Sequence, residues 1–143
     1  MKKMTEKFKI LAKYIKDMSS ETPDVETYLF VKDAISKYKL NIDIKSKLLK
    51  NQLIEINITL TFSDKEPNEK KSYYEIIYAV IIKINENITD KKELEKIVLC
   101  DVPDNIYPDL ESTFLNLIHN SGHPEMKLEK KVDFKKLFND RMA

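Results

Sequence analysis

His119 and His123 stand four residues apart, the spacing at which one helix face can offer two imidazoles to a zinc ion. Gly122 and Pro124 interrupt a helix between or just after the pair, and no third ligand is local, so they read as helix-terminal histidines. Cys100, the single thiol, would need a partner base and an oxyanion hole to act as a nucleophile. The sequence indicates neither, and a buried free cysteine is the simpler reading. Glu66 with Glu69, and Asp101 with Asp104, have the spacing of acid and base pairs, yet 24 Asp and Glu in 143 residues produce such spacings by chance. The one glycine, Gly122, cannot build a loop whose backbone cradles phosphate. The chain therefore reads as a non-enzyme with no cofactor and no metal.

A net charge of +1, with lysines and carboxylates interleaved, offers nucleic acid no uniform basic surface. The longest apolar run, 76–82, is too short to cross a bilayer, so direct membrane insertion is not expected. Lys7, Lys9 and Lys13 interrupt the apolar region that a secretory signal would need after Lys2 and Lys3. One cysteine permits no internal disulfide, which fits a cytoplasmic protein. The length fits one domain over residues 1–143, small enough that oligomerisation would help to bury apolar surface.

Period-two alternation predicts strands. In 53–62, Ile54, Ile56, Ile58, Leu60 and Phe62 share one face, and Glu55, Asn57, Thr59 and Thr61 the other. Asp64, Pro67 and Asn68 carry turn chemistry, and 73–84 follows as the second arm of a long hairpin. There Ile77, Ala79 and Ile81 make the second face apolar too, so a cover on both sides is expected. Residues 8–18 read as a strand with Phe8, Ile10, Ala12 and Tyr14 on one face, although a helix competes; Leu40, Ile42 and Ile44 mark another strand. Between these two, 22–38 is a crossover with a helical turn at 31–37. The period then changes. A helix over 90–99 starts at Thr89 or Asp90, and Pro103 or Pro108 suits the first turn of the next, whose stripe Ile106, Leu110, Phe114, Leu117 and Ile118 ends near Gly122. A terminal helix over 133–141 gathers Phe134, Leu137 and Phe138.

Most of these apolar residues are core. A domain of this size has difficulty burying in addition the aromatic crossover, the terminal helix and a two-faced apolar strand. An oligomer interface or an apolar groove for extended chains follows.

Three local patterns, in order, resemble the protein-export chaperone family SecB: 14–21 (YIKDMSSE), 103–108 (PDNIYP) and 132–138 (VDFKKLF). The resemblance implies an α+β fold, a four-stranded antiparallel sheet with helices packed on one side, assembled as a homotetramer, a dimer of dimers. It settles 8–18 as a strand. It implies binding of unfolded preproteins without ATP, keeping them translocation-competent, and delivery to the SecA translocation ATPase. By the same resemblance Asp17, Glu21, Tyr73 and Glu75 would contact SecA, and a client groove would be lined by Phe30, Ile35, Tyr38, Leu40, Ile42, Phe134, Leu137 and Phe138.

The sequence also departs from the family pattern. It is close to neutral where the family is acidic, Ala79-Val80 stands where a glycine is common, Glu111 replaces an arginine, and Lys131 replaces a proline. The family's acidic tail has no counterpart before Ala143. The alternatives are a SecB-like adaptor, or a chaperone dedicated to one partner such as a toxin–antitoxin client.

Overall fold

The computed structural model describes residues 6–64, 70–128 and 132–142. The chain runs β1 (Phe8–Glu21), α1 (Val25–Ala34), β2 (Lys39–Leu48), β3 (Leu53–Ser63), β4 (Tyr73–Ile84), α2 (Lys91–Lys96), α3 (Val102–Asn120) and α4 (Phe134–Met142). The strands form one antiparallel sheet in the order β1-β4-β3-β2. The expected turn at Pro67 and Asn68, together with Glu66 and Glu69, lies outside the described residues.

Alternation decides the core. Ile54, Ile56, Ile58, Leu60 and Phe62 of β3 are buried, and their partners across β4, Ile82, Val80, Tyr78, Ile76 and Tyr74, are buried beside them. Val102, Ile106, Leu110, Phe114 and Ile118 recur along α3 at helical spacing and complete the same apolar cluster. Phe114 meets Phe62 edge-on at a centroid distance of 5.2 Å.

Among the described residues, the opposite face carries no helix. Ile77 and Ile81 are half-buried there and Ala79 is fully buried. Their cross-strand neighbours supply the cover: Ala79 lies between Tyr14 and Asn57, and Ile81 between Ala12 and Glu55. The expected second covering layer is thus replaced by long side chains of the sheet itself.

β1 differs from its expected pattern. Its register slips between Ile10 and Ala12 and again between Ile15 and Asp17. Each slip inserts an unpaired residue and reverses the alternation. Phe8 and Ile10 pair with Ile84 and Ile82 on the helix side, whereas Ala12 and Tyr14 pair with Ile81 and Ala79 on the open side.

The crossover is more helical than its composition suggests. Asp24 caps α1 by accepting a 2.8 Å bond from the Thr27 amide, and a 3-10 turn over Ile35–Lys37 follows. Val31 and Thr27 face inward. The two expected helices of the second half are continuous: α2 passes through a π-helical turn, Ile97–Asp101, into α3. Pro103 sits in the first turn of α3, where its missing N–H and its ring would disturb regular α bonding to the preceding turn, and the wider π turn absorbs that demand. Pro108 lies inside α3, not at its start.

Replacing Ile56 by Ala should lower unfolding free energy by about 2–5 kcal/mol in denaturant titrations, while Thr59→Ala, on the open side of the same strand, should stay within about 1 kcal/mol.

Candidate binding surfaces

The pairing of β1 with β4 builds one of two candidate surfaces. Glu21 lies opposite Tyr73, Ser19 opposite Glu75 and Asp17 opposite Ile77, so all four residues expected to contact a partner occupy successive positions on the helix-free face. Asp17, Glu21 and Tyr73 are exposed and Glu75 is half-buried. The Tyr73 hydroxyl donates a 2.6 Å bond to Glu75 Oε2, and this bond, then burial, then the charges of Glu75 and Glu21 push the Tyr73 pKa up. The three carboxylates around the Tyr73 hydroxyl give this patch acceptors for a cationic partner.

Further along the same face, Lys16 Nζ lies 3.5 Å from Glu55 Oε2 and 3.4 Å from Asn57 Oδ1, and Tyr14 donates to Glu55 at 3.4 Å. Burial pushes the Glu55 carboxyl up, but the bonds from Asn57, Lys16 and Tyr14 with the Lys16 charge outweigh it and hold it below the usual carboxylate range. Lys45 and Lys47 of β2, Lys9 of β1 and Lys83 of β4 belong to this half of the face. Sequence reading missed the grouping because these lysines are scattered among acids along the chain and meet only through strand register.

The second surface lies on the helix side. Phe30 and Leu29 of α1 are exposed, as is Leu137 of α4, while Phe138 is half-buried. Leu40, Ile42 and Ile35 are half-buried against the core. Tyr38 and Phe134 are core residues: Tyr38 packs on Phe62 and Tyr74 and its hydroxyl oxygen accepts the Ser72 N–H at 3.0 Å, and Phe134 meets Tyr107 edge-on at 5.5 Å. Of the eight residues expected to line a groove, these two therefore position α1 and α4, and Phe30 and Leu137 are the ones most available to solvent. A cleft of about 640 Å³ opens between β2 and the α2–π segment, with Ile44, Leu48, Leu94, Val98 and Leu99 in its walls and Lys45, Lys91, Glu95 and Arg141 among its charged groups. None of the eight lines that cleft.

The residues with reactive chemistry have structural work. His119 donates from Nε2 to the Met126 carbonyl at 2.8 Å. His123 is buried, 3.2 Å from the Tyr74 hydroxyl, and burial lowers its pKa. Tyr28 donates to the Gly122 carbonyl at 2.7 Å, tying α1 to the end of α3. Gly122 has φ +101°, and a Cβ there would come 2.5 Å from the Tyr28 ring, so this position requires glycine twice over. Burial first, then Asp101 and Asp104, push the Cys100 thiol up, opposite to the activation a nucleophile needs. Tyr107, whose enclosed hydroxyl has no partner of hydrogen-bonding geometry, is pushed up to about 12 by burial and then by nearby Glu111. Among the described residues, no group of three or more His, Cys, Asp or Glu is placed to hold a metal ion, and no helix is long and apolar enough to cross a membrane.

Comparison with known proteins gives consistent findings. The family described as preprotein translocase subunit SecB matches residues 1–143. The protein-export protein SecB assigned in Pelagibacter ubique is 59% identical over 138 residues, spanning 96% of this chain and 99% of that one. The protein-export protein SecB of Burkholderia vietnamiensis is 27% identical, over 95% of this chain and 83% of its own. Among solved structures, a SecB-like chaperone of Mycobacterium tuberculosis, in complex with a ChAD peptide from the HigA1 antitoxin, has the same fold at a TM-score of 0.67 and 12% identity, covering 91% of this chain and 95% of that one.

Burial of neutral His123 holds its folded pKa below 6.5, so its contribution to stability is whole above that value and is lost as pH falls through it. Thermal unfolding followed from about pH 7.5 to 5 should show a steeper loss of midpoint in the unaltered protein than in His123→Gln.

Proposed function

This chain belongs to the SecB family, and we propose that it is an ATP-independent chaperone that binds unfolded preproteins in the cytoplasm, keeps them translocation-competent and delivers them to the SecA translocation ATPase. The observation that supports it best is the separation of two surfaces. Asp17, Glu21 and Glu75 stand with Tyr73 on the helix-free face, and the partly exposed apolar residues of α1, β2 and α4 stand on the other side of the sheet. An acidic patch suits a basic partner segment, whose encounter it speeds and orients. An apolar trough suits extended chains, which lose solvent contact with their hydrophobic side chains on binding and are thereby slowed in folding and aggregation. Phe30, Ile35, Leu40, Ile42, Leu137 and Phe138 would touch clients, with Tyr38 and Phe134 holding the walls of that groove in place.

The active form in this reading is a homotetramer, a dimer of dimers. β1 supports it: fourteen residues of edge strand keep one side of the backbone free of sheet partners, and Leu11, Tyr14, Ile15 and Met18 along it are each more than 40% exposed. An edge of that length and character invites another chain unless it is covered. The second reading is a SecB-like chaperone dedicated to one client, favoured by the likeness to the mycobacterial chaperone that holds an antitoxin peptide.

Charge reversal of Asp17, Glu21 and Glu75 should weaken SecA binding by about tenfold at low ionic strength while client holding survives. Phe30→Ser with Leu137→Ser should impair holding and leave SecA binding intact, with light scattering reporting four chains in both variants. Loss of both activities by either tetrameric variant would sink the two-surface reading. Suppressed aggregation of several unrelated denatured proteins, equal with and without ATP, supports the general chaperone, and failure with all but one client supports the dedicated form.

A further inference from the structure

The helix-free face is divided by charge. Toward the ends of β1 and β4 that hold Glu21 and Tyr73 its charged groups are Asp17, Glu21, Glu75 and Asp43, with Lys39 as a cation among them; toward the opposite end they are Lys9, Lys16, Lys45, Lys47 and Lys83, with Glu55 among them, Lys45 on the edge strand also bordering the helix-side cleft. Glu55 is taken up by Lys16, Tyr14 and Asn57. Lys9, Lys45, Lys47 and Lys83 are exposed and make no ion pair among the described residues. Glu6 and Glu86 border Lys9 and Lys83 around a shallow depression, without an ion pair to either. Lys9 and Lys83 also lie directly opposite one another in the β1–β4 register, a like-charge pairing that costs stability unless an anion lies over it.

We propose that this lysine half of the open face docks the protein peripherally on an anionic lipid surface. Three properties select that occupant. The charges are spread over four strands about 4.8 Å apart, and the one depression that Lys9 and Lys83 share is lined by Glu6 and Glu86 as well, which disfavours a single anionic group seated there. Every cation in the set is lysine, a mobile point charge on a long stem, suited to a diffuse layer of phosphates more than to the planar, bidentate pairing that arginine gives carboxylates in a protein interface. No row of aromatic rings stands among the lysines to stack unpaired bases, Tyr14 being bonded to Glu55. Clusters of about four to eight such cations partition to anionic membranes, and their attraction fades within a Debye length, about 8 Å at physiological salt. Neighbouring Asp17, Glu21 and Glu75 would then stand beside the membrane and remain open to a protein bound there.

The test is sedimentation of the whole protein with vesicles of equal parts phosphatidylglycerol and phosphatidylcholine, against vesicles of phosphatidylcholine alone. Binding is expected to the first only, at about 50 mM salt, and is expected to be released at about 500 mM. Lys45→Gln, Lys47→Gln and Lys83→Gln together should weaken it by about tenfold, whereas Lys32→Gln, Lys37→Gln and Lys135→Gln, on α1, the following turn and α4, should leave it unchanged. A second variant, Lys9→Gln, should also weaken binding while raising the thermal midpoint, because the repulsion with Lys83 is relieved. No sedimentation with anionic vesicles at low salt, or equal sedimentation by the β-face and helix-side variants, would overturn the proposal. Retention on immobilised polyglutamate without vesicle binding would overturn it in favour of an acidic protein partner.

Discussion

A four-stranded sheet has two faces to account for, and this chain brings helices to one of them. The apolar side chains of β3 and β4 close under α3, and the remaining structure follows from how little material is left for the other side. That side must tolerate water while keeping Ile77, Ala79 and Ile81 dry enough not to aggregate. Tyr14, Glu55 and Asn57 meet the need from within the sheet, where each long side chain covers the neighbour across the ladder. A face covered in this way is flat, polar and firmly held, because the same strands are anchored from behind by the core. It presents charge in a fixed pattern without any loop having to order first.

The helix side uses the opposite strategy. α1 is fastened at few points, chiefly Val31 and Thr27 inward and Tyr28 onto Gly122, and its outer residues Val25, Leu29 and Phe30 stay exposed. α4 is fixed by Phe134 against Tyr107 and leaves Leu137 outside. Few anchors and uncovered apolar groups give surfaces that can adapt to varied side chains, where an interface for one folded partner would be expected to be tightly packed and to leave less apolar area open.

Much of this was readable in the sequence, for physical reasons that differ by element. β3 obeys strict alternation because one of its faces is fully buried and the other polar, and the α3 stripe is equally plain. The helix α1 was concealed: Val25, Tyr28, Phe30 and Val31 are residues that favour strands, and tertiary contacts together with the Asp24 cap overrode them. The tight connection from β2 to β3 was concealed too, since Asn51 and Gln52 take left-handed conformations, φ 61° and 64°, with no glycine to announce them. The acidic patch could be named from the resemblance, but that its members lie side by side depended on pairings across strands far apart in sequence, and the lysine half of the face depended on the same pairings with no motif to mark it.

The two register slips in β1 give that strand a freedom its neighbours lack. In β3 every residue is matched, so gaining or losing one would turn a buried isoleucine to solvent and rearrange the whole ladder. In β1 the surplus residues at the slips could be removed and the strand straightened while Asp17, Ser19 and Glu21 kept their partners on β4. Length variation can thus be absorbed at the rim of the sheet, leaving the arrangement of its acidic patch intact.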